Sequence, residues 1–308
     1  MQVLRTPEAC FDKLPDYPFA PNYVSVDGLR MHYVDTGPRH GAVMLLLHGE
    51  PSWSFLYRHM IPPLAAGGFR VIAPDLVGFG KSDKPARVDA YSYAGHVRWM
   101  TTFVEALDLE AITLFCQDWG SLIGLRVAAE REHRFARIAL GNGGLPTGDE
   151  ALPRAFLLWR AFARLSPWFP IGRIIDKGTV TELSPAVRAA YDAPFPSARY
   201  KAGARAFPNL VPTAPDDPAS AANRAAWEVF CRWEKPFLTC FSNRDPITRG
   251  GELVWQERVP GARHGTHVRI RNAGHFLQED QGPALAEMLI GFARSAARPS
   301  VRGTGACP

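Results

Sequence analysis

The chain has 308 residues, of which 46% are hydrophobic and 21% are charged. These proportions are ordinary for a globular protein and exclude a collagen-like, coiled-coil or largely disordered chain. The length favours one core domain with a sizeable insertion. The formal net charge is +5, but Arg294, Arg298 and Arg302 lie in a Ser/Gly/Pro-rich terminal stretch. No Lys/Arg cluster is interleaved with aromatic residues elsewhere, so we expect no nucleic-acid partner.

The cysteines and the N-terminus indicate the compartment. The five cysteines are widely spaced, with no CxxC pair and no Cys/His grouping at zinc-finger spacing: Cys10, Cys116, Cys231, Cys240 and Cys307. This usage favours a reducing compartment and no metal site. The N-terminus lacks an apolar stretch of signal-peptide length, and no later segment approaches the ~20 apolar residues of a membrane span. We therefore expect a cytoplasmic protein without a membrane partner.

The first predicted elements are extended. Residues 23–26 and 29–34 read as two strands around the turn Asp27-Gly28, which suggests a hairpin. The continuous apolar run 42–47 then ends in His48-Gly49. Such a run is typical of a strand buried on both faces of a parallel sheet.

Helices and strands then alternate along the chain. The pattern predicts helices near 55–66, 93–107 and 121–130, and strands at 70–73, 111–116 and 136–140. It resumes late in the chain with a strand at 237–241, a helix near Glu252, a strand at 267–270 and a helix over 283–296. This alternation predicts a mostly parallel, doubly wound α/β sheet.

Between Gly144 and Pro236 the strand signal disappears. Helix-like segments separated by prolines take its place, and aromatic residues are frequent. We interpret 146–225 as an inserted helical cap domain. Residues 1–145 and 226–308 then form the core domain.

One segment, ITLFCQDWGSLIGLRVAAE, reads as a strand, a sharp turn and a helix, with Asp118 at the tip of the turn. This context is typical of a nucleophile elbow, although Asp118 could instead cap the following helix. Asp245 in FSNRDPIT and His275 in NAGHFLQED each follow a later predicted strand. Alone, each could be a turn former or a packing residue. Together, the order nucleophile, acid, histidine is that of α/β-hydrolases.

A second turn, in LLLHGEPSWSFLYR, ends the strand predicted beside the nucleophile. The main-chain N–H groups of Glu50 and Trp119 could there form an oxyanion hole. The other interpretation is a tight turn without chemistry, since Gly and Pro occur in turns everywhere.

The chain resembles the haloalkane dehalogenases of the α/β-hydrolase superfamily. The similarity covers nearly the whole chain through HGEPSWSFLYRHM, APDLVGFGKSDKP, CQDWGSLIGL, YDAPFPSARYKAGARAFP and NAGHF. The resemblance is to the subgroup with Glu after HG. It implies an α/β-hydrolase fold with a cap, no cofactor or metal, and hydrolysis of small halogenated alkanes with water to alcohol, halide and proton. It also implies a role in detoxification. We favour a monomer.

Carried over by position, the resemblance implies that Asp118 is the nucleophile, His275 the base and Asp245 the acid. Trp119 would be the first halide-binding tryptophan, and Trp159 the second. Trp168 competes with Trp159, and both could also be packing aromatics. The expected pocket-lining residues are Phe156, Phe207, Pro208, Val211, Ile247 and Phe276.

The acid position separates subgroups within the family. Asn142 occupies the place where a different subgroup has its catalytic carboxylate. Asp245 is therefore left as the only plausible acid.

The residue types suit displacement at saturated carbon. A carboxylate attacking a carbon that bears a halogen forms an alkyl ester, which water hydrolyses later. Indole N–H groups only donate, so they could stabilise a leaving halide without acting as a base.

Three other functions would use parts of the same pattern. An epoxide hydrolase would use the same triad with acids from the cap, for which Tyr191 and Tyr200 are available. A fluoroacetate-type dehalogenase would need arginines close to the nucleophile, and none directly follows Asp118. A silent ligand-binding relative should have lost a triad member, whereas all three are present.

Overall fold

The computed structural model describes residues 1–263 and 265–295. The strands within these ranges are β1 (Val3–Leu4), β2 (Asn22–Val26), β3 (Leu29–Thr36), β4 (Val43–Leu47), β5 (Arg70–Pro74), β6 (Lys84–Pro85), β7 (Ile112–Gln117), β8 (Phe135–Gly141), β9 (Phe237–Ser242) and β10 (Val268–Ile270). The α-helices are α1 (Ile61–Ala66), α2 (Tyr93–Ala106), α3 (Trp119–Glu130), α4 (Arg154–Leu165), α5 (Ile171–Gly178), α6 (Pro185–Asp192), α7 (Ala202–Leu210), α8 (Ser220–Phe230), α9 (Glu252–Arg258) and α10 (Leu277–Ser295).

The main sheet has eight strands in the order β10-β9-β8-β7-β4-β5-β3-β2. The strands from β10 to β5 pair in parallel, whereas the β2–β3 hairpin is antiparallel and β3 also runs antiparallel to β5. The predicted doubly wound, mostly parallel sheet and its hairpin are thus confirmed. In such a sheet the carboxyl ends of the parallel strands meet at one edge, where ligands bind.

The continuous apolar runs of the sequence form the central strands of the sheet. Every residue of β4 and β7 is buried, because helices cover both faces of the sheet at its centre. Both strands end at the edge where the chain turns sharply. The residues that follow them therefore lie side by side.

The prediction of one helix over 55–66 is wrong. A short 3-10 helix, Ser54–Tyr57, precedes α1, and α1 begins only at Ile61. Pro62 and Pro63 lie in the first turn of α1, since proline lacks the N–H that a helix interior requires. The last helix begins at Leu277 rather than 283, with a break in helical geometry at Gln281.

Helices α4 to α8 lie between β8 and β9, where the sequence lacks a strand signal. A separate cap domain over 146–225 stays a proposal. Its limit at 225 falls inside α8, a helix that packs against α3 of the sheet layer.

Two earlier expectations lie partly outside the described residues. Cys10, Cys116, Cys231 and Cys240 are free thiols, whereas Cys307 lies outside the described residues together with Arg298 and Arg302. The predicted end of the last helix at 296 also lies outside them. Across 1–263 and 265–295, no helix has both the length and the apolar character needed to cross a bilayer.

Candidate active site

Asp118 lies in a sharp turn between β7 and α3. Its φ of 50° and ψ of −128° are unusual for a residue with a side chain. Two glycines make room for this turn. A β-carbon on Gly120 would lie 2.0 Å from the main-chain oxygen of Leu47, and one on Gly49 would lie 2.4 Å from Asp118 Oδ1. The Asp118 side chain makes no capping hydrogen bond to α3, so the helix-cap interpretation is wrong.

His275 lies between two carboxylates. Its Nε2 is 3.4 Å from Asp118 Oδ2, and its Nδ1 is 3.0 Å from Asp245 Oδ2. The Ile247 N–H donates to Asp245 Oδ1 at 2.8 Å, and the Thr248 hydroxyl donates to Oδ2. Asp245 is therefore held in one orientation. Asp118 follows β7, Asp245 follows β9 and His275 follows β10, as the sequence predicts.

The two carboxylates control the charge of the histidine. Burial lowers the pKa of His275, but the charges and hydrogen bonds of Asp245 and Asp118 outweigh burial and raise it to about 10. Burial raises the pKa of Asp245, yet the His275 imidazolium and the hydrogen bonds from Thr248 and Ile247 bring it down to about 2. The resting protein therefore holds an imidazolium between two carboxylates.

The Glu50 N–H donates to Asp118 Oδ1 at 2.7 Å. The carbonyl of the same peptide unit, Gly49 O, accepts from the Ser52 hydroxyl at 2.8 Å and contacts His48 Nδ1 at 2.9 Å. Because the Leu76 N–H donates to His48 Nε2, the proton of a neutral His48 must be on Nδ1. Ser52 and His48 thus hold the carbonyl of the Gly49–Glu50 peptide, whose N–H donates to Asp118. Trp119 begins α3, so its N–H is among those that the helix leaves without a partner.

The Glu50 carboxyl lies in the wall of the site. The residue is only 4% exposed, and its Oε1 has no hydrogen-bond partner among the described residues. Burial, and then the charge of Asp118, raise its pKa well above the usual range, with His275 and Trp159 opposing the shift. The buried position of Glu50 therefore favours the protonated form of its carboxyl.

Two of the three tryptophans singled out by the sequence are partly or fully buried. Trp119 is 3% exposed and packs edge-on against Phe207, with ring centres 4.4 Å apart. Trp159 stacks on Phe169 at 5.6 Å. Trp168 is 59% exposed. All three line the same cavity, and of Trp159 and Trp168 only Trp159 contributes to the pKa shift of Glu50, which lies beside Asp118.

The cavity has a volume of about 1050 Å³ and reaches Asp118 and His275. Five of the expected pocket residues line it: Phe156, Pro208, Val211, Ile247 and Phe276. Phe207 does not. Its side chain is fully buried between Trp119 and Phe79, because α7 turns it toward the core and leaves Pro208 on the cavity side.

The buried side-chain amides of Asn142 and Gln117 hold the main chain around His275. Asn142 Nδ2 donates to the main-chain oxygens of Gly274 and His275 at 2.9 and 3.0 Å. A carboxylate at this position could not make these bonds, since it only accepts. Sequence reasoning missed Gln117, whose Nε2 donates to His275 O at 3.2 Å and lies 3.1 Å from its Nε2. Its only signal was its place directly before Asp118.

The two tyrosines of the predicted cap do not line the cavity. Tyr191 is fully buried and its hydroxyl donates to Glu279. Neither Tyr191 nor Tyr200 is part of the cavity wall. The ring-opening acids that an epoxide hydrolase would need are therefore not supplied by these two residues.

Comparison with known proteins agrees with this arrangement. Residues 42–281 match the family model described as alpha/beta hydrolase fold. A haloalkane dehalogenase of Mycobacterium marinum is 58% identical over 297 residues, covering 95% of this chain and 100% of the relative. One of Psychrobacter cryohalolentis is 56% identical, covering 95% and 98% of the two chains.

A solved structure shows the same fold at lower identity. The tetrameric haloalkane dehalogenase DpaA of Paraglaciecola agarilytica NO2 has a TM-score of 0.88 and 35% identity, covering 94% of this chain and 97% of that one. The match to the fold model and the two near full-length relatives agree with the elbow, the triad geometry and the cavity. The chain therefore belongs to the haloalkane dehalogenases of the α/β-hydrolase fold.

Proposed function

We propose that the protein hydrolyses the carbon–halogen bond of haloalkanes through an alkyl ester on Asp118. The observation that carries this proposal is one cavity whose wall includes the Asp118 carboxylate, the indole rings of Trp119 and Trp159, and His275, which is paired with Asp245. A carboxylate nucleophile suits saturated carbon, and an indole is a donor for an anion.

In the first step, Asp118 Oδ2 attacks the carbon that bears the halogen. The new C–O bond forms as the C–X bond breaks, and the halide leaves with the electron pair. Trp119 and Trp159 donate their indole N–H groups to the halide as its charge develops. Meanwhile the Glu50 N–H holds Oδ1, so the attacking oxygen is Oδ2, which lies 3.4 Å from His275 Nε2.

Ester formation changes the histidine as well as the nucleophile. Asp118 loses its negative charge, and with it one of the two carboxylates that raise the pKa of His275. The imidazolium can then release its proton to solvent and become a base. In this scheme the first step prepares the second.

In the second step, neutral His275 takes a proton from water, and the oxygen attacks the carboxyl carbon of the ester. The oxyanion that forms on Oδ1 is stabilised by the Glu50 N–H and by the N–H of Trp119. Asp245 stabilises the imidazolium. Collapse of the intermediate releases the alcohol and restores the Asp118 carboxylate.

Four finer expectations are part of this proposal. The reaction uses water and no organic cofactor or metal. The free thiols support a reducing, cytoplasmic location, and detoxification of halogenated compounds would follow from the chemistry. A monomer is still our expectation, although one structural relative is described as tetrameric.

The test separates the two chemical steps. In His275→Phe, Asp118 can still attack, but no base activates water. We expect release of one halide per active site and then arrest, with a bromoethyl adduct on the Asp118 peptide after exposure to 1,2-dibromoethane. The matched variant Asp118→Ala should release no halide. Continued turnover without His275, or an adduct on another residue, would overturn the proposal.

A further inference from the structure

The mouth of the catalytic cavity is lined by positively charged residues from three segments. Arg173 and Lys177 belong to α5, Arg244 and Arg249 to the loop after β9, and Arg258 to the end of α9. All five are exposed. None has an ionic partner within the described residues, although many other arginines of the protein are paired with carboxylates.

Two of these cations flank the loop that carries the catalytic histidine. The Arg244 N–H donates to Ala273 O at 3.1 Å. On the other side, the Phe276 N–H donates to Gly178 O at 3.3 Å, and Gly178 follows Lys177 directly. The main chain at Arg244 and the main chain next to Lys177 therefore border the segment that carries His275, and both residues line the cavity.

The acids of the cavity do not neutralise this mouth. The His275 imidazolium offsets only one of the two carboxylates beside it, Asp118 and Asp245, so this group leaves a single negative charge, and burial raises the pKa of Glu50 well above its usual range. Glu150 is the remaining acid of the described wall. The mouth thus carries a positive charge, and its potential extends over about a Debye length, ~8–10 Å at physiological salt.

Arg244 and Arg249 are the strongest candidates for an anion site. Arg173 and Lys177 also border a neighbouring groove that contains Asp176 and Glu182, which weakens their pull on an anion in the main cavity. Asp245 adjoins Arg244 in the chain but is buried and committed to His275. The two arginines flank the turn 245–248 and line the mouth.

We propose that Arg244 and Arg249 bind an anionic group at the far end of the substrate, so that the enzyme prefers haloalkanes with a terminal carboxylate. This inference rests on the proposed function. The volume of about 1050 Å³ is at the upper end of ligand pockets and exceeds what a two-carbon haloalkane needs. The halogen would lie between Trp119 and Trp159 while the carboxylate reaches the mouth.

The test compares three bromoalkanes of equal chain length that differ in the terminal group: 6-bromohexanoate, 6-bromohexan-1-ol and 6-bromohexylammonium. We expect kcat/KM to fall in that order, with the carboxylate about five- to tenfold above the alcohol, since exposed charge pairs contribute modestly. In Arg244→Gln/Arg249→Gln, the ratio of carboxylate to alcohol should fall to about one. The control Arg232→Gln removes an exposed arginine that does not line the cavity and should keep the ratio.

The outcomes separate this inference from the proposed function. Turnover of the alcohol with no preference for the carboxylate overturns the inference alone. A preference that survives in the double variant also overturns it, because the site would lie elsewhere. Release of no halide from any of the three compounds overturns the proposed function itself.

Discussion

In the proposed reaction, single side chains at the base of the cavity have separate chemical roles. Trp119 is clamped by aromatic neighbours, with Tyr93 at 5.2 Å and Phe207 at 4.4 Å between ring centres. A rigid indole directs its N–H toward one point. Such preorganised donors stabilise a developing charge without reorganising during the reaction.

We expect Trp119→Phe and Trp159→Phe each to weaken halide binding and slow carbon–halogen cleavage by about a hundredfold, the usual cost of one aimed donor. Phenylalanine preserves the packing and removes only the N–H. Halide titration by fluorescence and single-turnover halide release measure the two effects.

Trp168→Phe is the matched control, since Trp168 lines the same cavity but is 59% exposed. It should stay close to wild type. Loss of activity in this variant together with normal activity in Trp159→Phe would reverse the assignment of the second tryptophan.

Asp245→Asn should reduce turnover by about three to four orders of magnitude, because an amide cannot stabilise the imidazolium and can favour the wrong tautomer. The first step should be less affected, so an alkyl ester should accumulate on Asp118, visible by mass spectrometry. Asn142→Asp should not restore activity to Asp245→Asn, since Asn142 holds the main-chain oxygens of Gly274 and His275. Turnover of Asp245→Asn near the wild-type rate would contradict the role of Asp245.

At the scale of elements, one buried ion pair ties a helix of the predicted cap to the core. Arg58, next to the 3-10 helix Ser54–Tyr57, contacts Glu279 on α10 at 2.6 and 2.8 Å. Tyr191 on α6 donates to the same carboxylate. The side chains of Arg58 and Glu279 are both only 3% exposed.

Glu279→Gln should lower the free energy of unfolding by about 3 kcal/mol, because Arg58 would stay buried without a compensating charge. Tyr191→Phe should cost less, about 1 kcal/mol, the loss of one hydrogen bond. Urea unfolding at constant pH measures both. The exposed pair of Arg87 and Asp89 supplies the control: Arg87→Gln should leave the urea midpoint unchanged, and an equal loss in both variants would refute the role of burial.

At the scale of the whole molecule, buried titrating groups make the fold sensitive to acid. Burial and then the charge of His48 lower the pKa of His96 to about 3. In the unfolded chain His96 becomes protonated near pH 6.5, whereas in the folded protein it becomes protonated only near pH 3. Stability contributed by this group is therefore lost as pH falls across that window. Asp245, with its pKa lowered to about 2, adds a further loss from near pH 3.8 downward.

Between about pH 7 and pH 4 we expect His96 to lower the free energy of unfolding by roughly 3 kcal/mol, measured as the difference in pH dependence between the wild type and His96→Phe. In His96→Phe this part of the pH dependence should vanish, since phenylalanine keeps the aromatic contacts and does not titrate. Thermal unfolding at several pH values measures the slope. The exposed His40→Phe is the control and should keep the wild-type slope; an unchanged slope in His96→Phe would contradict the assignment.

The sequence by itself determined the sheet and the places where its chemistry lies. Strand and helix periods are local properties, so the alternation and the hairpin follow from the residues of each segment. The carboxyl ends of parallel strands lie at one edge of the sheet. The sequence alone therefore predicts that Asp118, Asp245 and His275 lie close together.

Only the tertiary structure decided what surrounds these residues. Three features depend on contacts between segments far apart in the chain: Phe207 lies behind Trp119, Tyr191 is bound to Glu279, and burial raises the pKa of Glu50. Local periodicity carries no information about such contacts. The charge of a group depends on its burial and on its neighbours, and both arise only when the elements pack.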